Sequence, residues 1–194
     1  MILSYIDLWH QVANQVIFPV PPEHINASSI DVTLANKLLV EAVPPDQRKA
    51  VLLSDRTPLD FAELTLAPGQ IFWLMPGQFV LAATQERFAL PLNMSAEFRL
   101  KSSAARMGLS HALAVWADPG WHGSALTLEL HNITQQHVVG LQAGDRVGQM
   151  IFHSHKAVPL EASYAVRGAY NNTDGVQAAR PNSAQFRVSP DIKS

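Results

Sequence analysis

The feature that most restricts how this chain can fold is a period of two, repeated in short runs that end at turn residues. In 124-SALTLELHN-132, Leu126, Leu128 and Leu130 alternate with Ala125, Thr127, Glu129 and His131. Successive side chains of a strand point to opposite faces, so this stretch has one apolar face and one polar face. Ile30, Val32 and Leu34 alternate with Asp31 and Thr33 in the same way. The run 147-VGQMIFHS-154 follows a Gly144-Asp145 turn, and Phe98 and Leu100 mark a further strand. Segments 70-QIFWLM-75 and 78-QFVLAAT-84 flank Pro76-Gly77 and read as a hairpin. Many short, turn-bounded strands predict an all-β fold, a distorted barrel or jelly roll, and not alternating βαβ units. The exception is the N-terminus. Ser4 can cap a helix there, Asp7 lies three residues on, and Tyr5, Leu8, Trp9 and Val12 share one face. Three prolines in 17-IFPVPPEH-24 then stop it.

The 194 residues fit one domain spanning 1–194. Its tail, 168–194, is rich in Asn, Gly, Ala and Ser, and is expected to be a mobile arm. A net charge of −2 leaves no basic field to hold nucleic acid or an anionic membrane, so an anionic ligand needs a few local cations. No apolar run approaches the ~18–20 residues that span a bilayer. The opening MILSYIDLWHQ lacks a basic, cleavable leader, which makes the cytoplasm the expected compartment. Cysteine is absent, which removes disulfides, thiolate nucleophiles and cysteine–zinc sites. The glycine-rich phosphate cradles and the G-x-S-x-G elbow are missing. No histidine has a glutamate two positions on, so zinc-dependent nucleobase deamination is excluded.

Three segments carry chemistry. In 101-KSSAARMGL-109, two hydroxyls and two cations lie within six residues. They suit an anion site, or a serine-rich turn with solvated charges. In 118-DPGWHG-123, a tight turn leaves the aspartate free to accept hydrogen bonds. Glu129 is either a solvated outer-face residue or a carboxylate facing a pocket. Gln149, between Val147 and Ile151, is a ligand contact or a structural hydrogen bond. Trp73, Trp116 and Trp121 read as core or interface residues, with Trp121 the candidate for stacking on a base. His153 and His155 read as a surface or interface pair.

These blocks, with 25-INASSIDVTLANKLLV-40, 76-PGQFVLAAT-84 and 144-GDRVGQMIF-152, run in an order and spacing that resembles the dCTP deaminase family, part of the trimeric dUTPase-like superfamily. The resemblance covers nearly the whole chain. It implies a dUTPase-like β-clip fold and a hydrolytic deamination of dCTP to dUTP and ammonia that uses no zinc. Glu129 would be the general base and proton shuttle. Ser102 and Arg106 would orient the water and stabilise developing charge, and the carbonyl of Ala114 would complete the water site. Asp118 and the backbone of Thr127, Leu128 and Glu129 would contact sugar and base. Lys101, Ser102, Ser103, Ala104, Ala105 and Arg106, with Gln149, would hold phosphates whose Mg²⁺ arrives with the nucleotide. Tyr164 would cover the sugar. The partner implied is a second and third copy of the chain, a homotrimer with active sites between subunits, and dUTP or dTTP would be further ligands. The resemblance also admits a bifunctional enzyme giving dUMP, a deaminase for a modified or less phosphorylated cytosine nucleotide, and a non-catalytic nucleotide-binding trimer.

Against the family pattern, the interval from Asp118 to Glu129 is longer by one residue. A bulge near Ser124-Ala125 is expected to return Glu129 to the pocket. In the tail, Ala169, Tyr170 and Thr173 stand where the family has a Lys-Tyr pair and a Gln, with Arg167 as a substitute cation; Gly175 and Arg180 keep the closing motif.

Overall fold

The structure is a computed structural model, and it describes residues 1–44, 47–114 and 116–181. Its elements, in chain order, are α1 (Tyr5–Ala13), β1 (Ile17–Phe18), β2 (Ile30–Thr33), β3 (Lys37–Glu41), β4 (Phe61–Thr65), β5 (Ile71–Leu74), β6 (Phe79–Ala89) and β7 (Met94–Leu100). There follow α2 (Ser102–Arg106), β8 (Leu109–His111), β9 (Trp116–Ala117), β10 (His122–Asn132), β11 (Val139–Gln142), β12 (Arg146–Ser154) and α3 (Tyr164–Arg167). The all-β expectation with a short N-terminal helix holds. Every strand pair is antiparallel. The strands form three sheets: β4-β3-β6-β10-β8 with β1 beside β6, β2-β12-β7-β9, and β11-β5. None closes into a barrel among the described residues.

Helix α1 starts as its sequence dictates. The Asp7 carboxylate accepts from the Ser4 backbone N–H at 3.0 Å and from the Ser4 hydroxyl at 2.8 Å, and these bonds hold its pKa below the usual value. Leu8 is fully buried while Tyr5 and Ile6 stay exposed. The core collects the inward faces of the strands, with Phe88, Phe98 and Phe152 as its largest members. No helix among the described residues is long and apolar enough to cross a membrane.

The hairpin expected across Pro76-Gly77 does not form. The turn is there, with Gly77 at φ 73° and its N–H on the carbonyl of Asn132. Yet β5 pairs with β11, and β6 pairs with β1, β3 and β10. The long β6 serves three partners, so its edge is taken by distant strands and not by its sequence neighbour.

Strand β10 carries the irregularity that its sequence requires. Its register against β6 slips between His122 and Ser124, and again between Ala125 and Thr127. At the second slip the Leu126 N–H turns to the Thr84 hydroxyl at 3.0 Å, and that hydroxyl donates to the Glu86 carbonyl at 2.8 Å. From Thr127 to His131 the pairing is regular. Leu128 and Leu130 point into the core, and Thr127, Glu129 and His131 lie half-buried on the other face. Leu126, at the slip, is only half-buried and leaves the row its spacing assigned it to.

Candidate active site

That polar face of β10 opens onto a cavity of about 570 Å³. Thr127 and Glu129 reach it from β10, Ala114 and Asp118 from the segment before it, and Tyr164 from α3. One wall comes from the segment between β3 and β4 and from β4 itself: Val51, Leu52, Leu53 and Phe61 line the cavity, with Arg56 beside them. Tyr170, Thr173 and Gln177 line it from the tail.

Glu129 is held where a proton-transferring carboxylate needs to be, neither sealed in nor in open solvent. Its side chain is 24% exposed, against 3% for the His111 ring behind it. His111 Nε2 lies 3.1 Å from Glu129 Oε2. The contact is close but bent from the straight line of a good hydrogen bond, and neither atom meets any other partner among the described residues. Oε1 makes no hydrogen bond to the described residues and is the oxygen left for a water in the cavity. His111 lies outside the lining of the cavity, and no local pattern in the sequence singles it out.

Asp118 accepts from the indole N–H of the exposed Trp116 at 3.1 Å. Trp121 is buried, stacked on Phe88 at 5.1 Å, and donates to the Tyr170 carbonyl at 3.0 Å. Both tryptophans border the cavity, whereas Trp73 is 56% exposed and belongs to no core. Burial pushes the Tyr164 phenol above its ordinary pKa, and the nearby Tyr170 and Asp118 add to this against backbone hydrogen bonds from Tyr170 and Ala169.

The described part of the tail lies along β10. Ser124 Oγ donates to the Tyr170 carbonyl at 2.7 Å and accepts from the Thr173 N–H at 3.0 Å. The Gln177 N–H donates to Thr127 Oγ1 at 3.1 Å, and Arg87 pairs with Asp174 at 2.8 Å. Arg180 sits over the Tyr170 ring, 5.0 Å from its centroid, and donates to the Ala169 carbonyl. Arg167 donates to the Glu161 carbonyl at 2.8 Å and does not line the cavity. The remainder of the arm, 182–194, lies outside the described residues.

The other predicted residues are elsewhere. None of Lys101, Ser102, Ser103, Ala104, Ala105, Arg106 or Gln149 lines the cavity. Five of them form α2, on whose surface Ser102, Ser103 and Arg106 are exposed. Arg106 has no hydrogen bond or ion pair among the described residues. Gly108 ends this element with φ 86°, and a Cβ there would sit 2.1 Å from the Thr134 methyl, so only glycine leads the chain from α2 into β8. Lys101 faces inward instead, 2.6 Å from the Asp31 carboxylate, which is 1% exposed and also takes Asn26 at 2.9 Å. Gln149 accepts from the Ser29 hydroxyl at 2.7 Å. Among the described residues, no group of three acidic, histidine or cysteine side chains is placed to hold a metal ion. His153 stands 3.7 Å from Glu97, and His155 meets Ser95 at 3.0 Å.

A model of dCTP deaminase-like proteins matches residues 2–155, most of the chain and all three sheets. The chain belongs to the dCTP deaminase-like family. Within it, the dUMP-forming dCTP deaminase of Dictyoglomus thermophilum is 34% identical over 190 residues, covering 94% of this chain and 95% of that protein. The dUMP-forming dCTP deaminase of Methanospirillum hungatei is 38% identical over 139 residues, covering 71% of this chain and 72% of its own length. The fold of this family member matches the crystal structure of 2'-deoxycytidine 5'-triphosphate deaminase from Agrobacterium tumefaciens with a TM-score of 0.61 at 23% identity. That match covers 83% of this chain, which spans about half (50%) of the Agrobacterium chain.

Proposed function

We propose that this protein deaminates dCTP hydrolytically and carries the nucleotide on to dUMP, with the balance dCTP + 2 H₂O → dUMP + diphosphate + NH₃. The observation that carries it is the Glu129 carboxylate, half-buried on the wall of the cavity with one oxygen turned to His111 and the other left for a water. Glu129 takes a proton from that water as its oxygen adds to C4 of the cytosine ring, the π pair of the C4=N3 double bond passes to N3, and Glu129 delivers the proton there. A second proton delivered to the amino group lets ammonia leave as the C4 carbonyl forms. A carboxylate base within hydrogen-bond reach of its proton contributes about 10²–10⁴-fold to such a step. In the second reaction a water attacks the α-phosphorus and the bond to the bridging oxygen breaks, releasing diphosphate. The dUMP-forming names of relatives that align along most of the chain support this second step over a reaction that ends at dUTP.

The triphosphate carries charge that the cavity does not match. Among the described residues that line it, Arg56 is the only Lys or Arg. The exposed Ser102, Ser103 and Arg106 of α2 stand apart from that cavity, and Arg106 has no ion-pair partner among the described residues. The reading that joins them is a homotrimer in which α2 of one subunit closes the cavity of the next, with Mg²⁺ arriving as part of the nucleotide. A specific observation favours a second reading, in which the product is dUTP. Arg180, in the closing motif of the tail, is turned to Tyr170 and Ala169 instead of lining the cavity. Incubating the protein with dCTP and Mg²⁺ and resolving the products separates these readings. Ammonia with dUMP and diphosphate is expected; ammonia with dUTP alone establishes the second reading, and unchanged dCTP refutes both.

A further inference from the structure

We infer that His111 is the positioning residue of this site, a neutral ring that fixes both the general base and the backbone leading to the water acceptor; the inference rests on the deaminase reading. A neutral imidazole has one donor nitrogen and one acceptor nitrogen. The Leu113 N–H donates to His111 Nδ1 at 3.1 Å, so Nδ1 is the bare acceptor and the proton sits on Nε2. Nε2 faces Glu129 Oε2 at 3.1 Å, and neither of these buried atoms meets another partner among the described residues. Buried polar atoms are as a rule paired, and here each is the only group available to the other.

The same ring governs the chain that follows. Leu113 has φ 64°, a left-handed conformation unusual for a bulky side chain, and the bond to Nδ1 is what its N–H gains there. The next N–H back, that of Ala112, donates to the Glu129 carbonyl at 3.1 Å. The Phe98 ring packs on the imidazole at 4.8 Å and limits its rotation. His111 thus sets one nitrogen against the carboxylate and, with the other, holds the turn that delivers Ala114 to the cavity. Protonation on Nδ1, or the opposite tautomer, breaks one of these contacts.

Two variants separate the two nitrogens. In His111→Asn the side-chain oxygen falls near Nδ1 and keeps the Leu113 bond, while the donor to Glu129 is lost. In His111→Gln the amide reaches the Nε2 position and restores that donor. The expected result is a kcat for ammonia release from dCTP that falls roughly ten- to a hundred-fold in the Asn variant with KM unchanged, since displacing a reacting group by about 1 Å costs that much. The Gln variant, which restores the donor to Glu129 but lacks the acceptor for Leu113, recovers only part of the loss. In the wild-type protein, ¹⁵N spectroscopy of the ring is expected to show a protonated Nε2 and an unprotonated Nδ1. Equal kcat in wild type and both variants, or a proton on Nδ1, overturns the inference. Failure of the wild-type protein to release ammonia refutes the deaminase reading instead, and the ring spectrum still decides the contact to Glu129.

Discussion

The floor of the cavity and the helix α2, to which the proposed function assigns the two halves of the chemistry, are built in opposite ways. Glu129 sits on an inner strand of a sheet, above fully buried Leu128 and Leu130 and against a buried histidine. Its geometry is complete within one chain. Helix α2 is five residues long, exposes Ser102, Ser103 and Arg106, and gives Arg106 no partner. Proton transfer depends on placement and rigid support, which a β-core supplies. Phosphate binding depends on exposed, unpaired cations, which a packed core cannot hold. On the proposed reading, a chain preforms its base and takes its phosphate-binding cation from the neighbouring subunit of an oligomer.

Substitutions on the two sides test that contrast, beginning with the largest effect. Glu129→Gln is expected to lower kcat for ammonia release by about 10²–10⁴-fold with little change in nucleotide affinity, as measured by steady-state kinetics and equilibrium binding. Comparable activity in that variant breaks the comparison at the floor. Arg106→Ala is expected to lower kcat/KM about a hundred-fold and leave the melting temperature where it was, since the exposed side chain it removes makes no hydrogen bond or ion pair among the described residues. Lys101→Met, only one residue before α2, is expected to behave differently. It strips a partner from buried Asp31, with Arg146 at 3.4 Å remaining, and should cost about 1–3 kcal/mol in denaturant unfolding. A drop in affinity without a drop in stability would move Lys101 to the phosphate side.

The smallest effect is expected far from both halves, at Glu86. This carboxylate is 1% exposed, accepts from the Thr33 N–H and hydroxyl, and is pushed above the ordinary value of 4.5 by burial. The native state then binds its proton more tightly than the unfolded chain does. Stability from this group is therefore present at low pH and declines as pH rises from 4.5 through the native value. Glu86→Gln should flatten that decline in urea midpoints measured across the acid range, without altering ammonia release at neutral pH.

Much of this was legible in the sequence, for identifiable reasons. The alternation in β10 marks Glu129 as a polar residue on a half-buried face, and the extra residue before it predicts the register slip that the strand shows. What the sequence hid depends on distant partners. Residues 70–84 read as a hairpin because a Pro-Gly turn separates two apolar runs; the pairing is instead decided by β11 and β10, more than forty residues away in the chain. Val51, Leu52 and Leu53 lie between polar, proline-containing stretches, and nothing local shows that they wall the cavity. His111 is invisible for the same reason. Its value comes from a strand pairing that sets it opposite Leu130 and from a left-handed residue two places on, and neither has a local signature.

The most direct test of the account is complementation between two inactive variants. Glu129→Gln keeps its α2, and Arg106→Ala keeps its Glu129. Unfolded together and refolded as a mixture, they should assemble sites that pair a good floor with a good helix. Random assembly then restores ammonia release to about a quarter of the wild-type value, although each variant alone is nearly inactive. A mixture no more active than its components would show that Glu129 and Arg106 serve the same site from one chain, and would contradict the division between floor and helix.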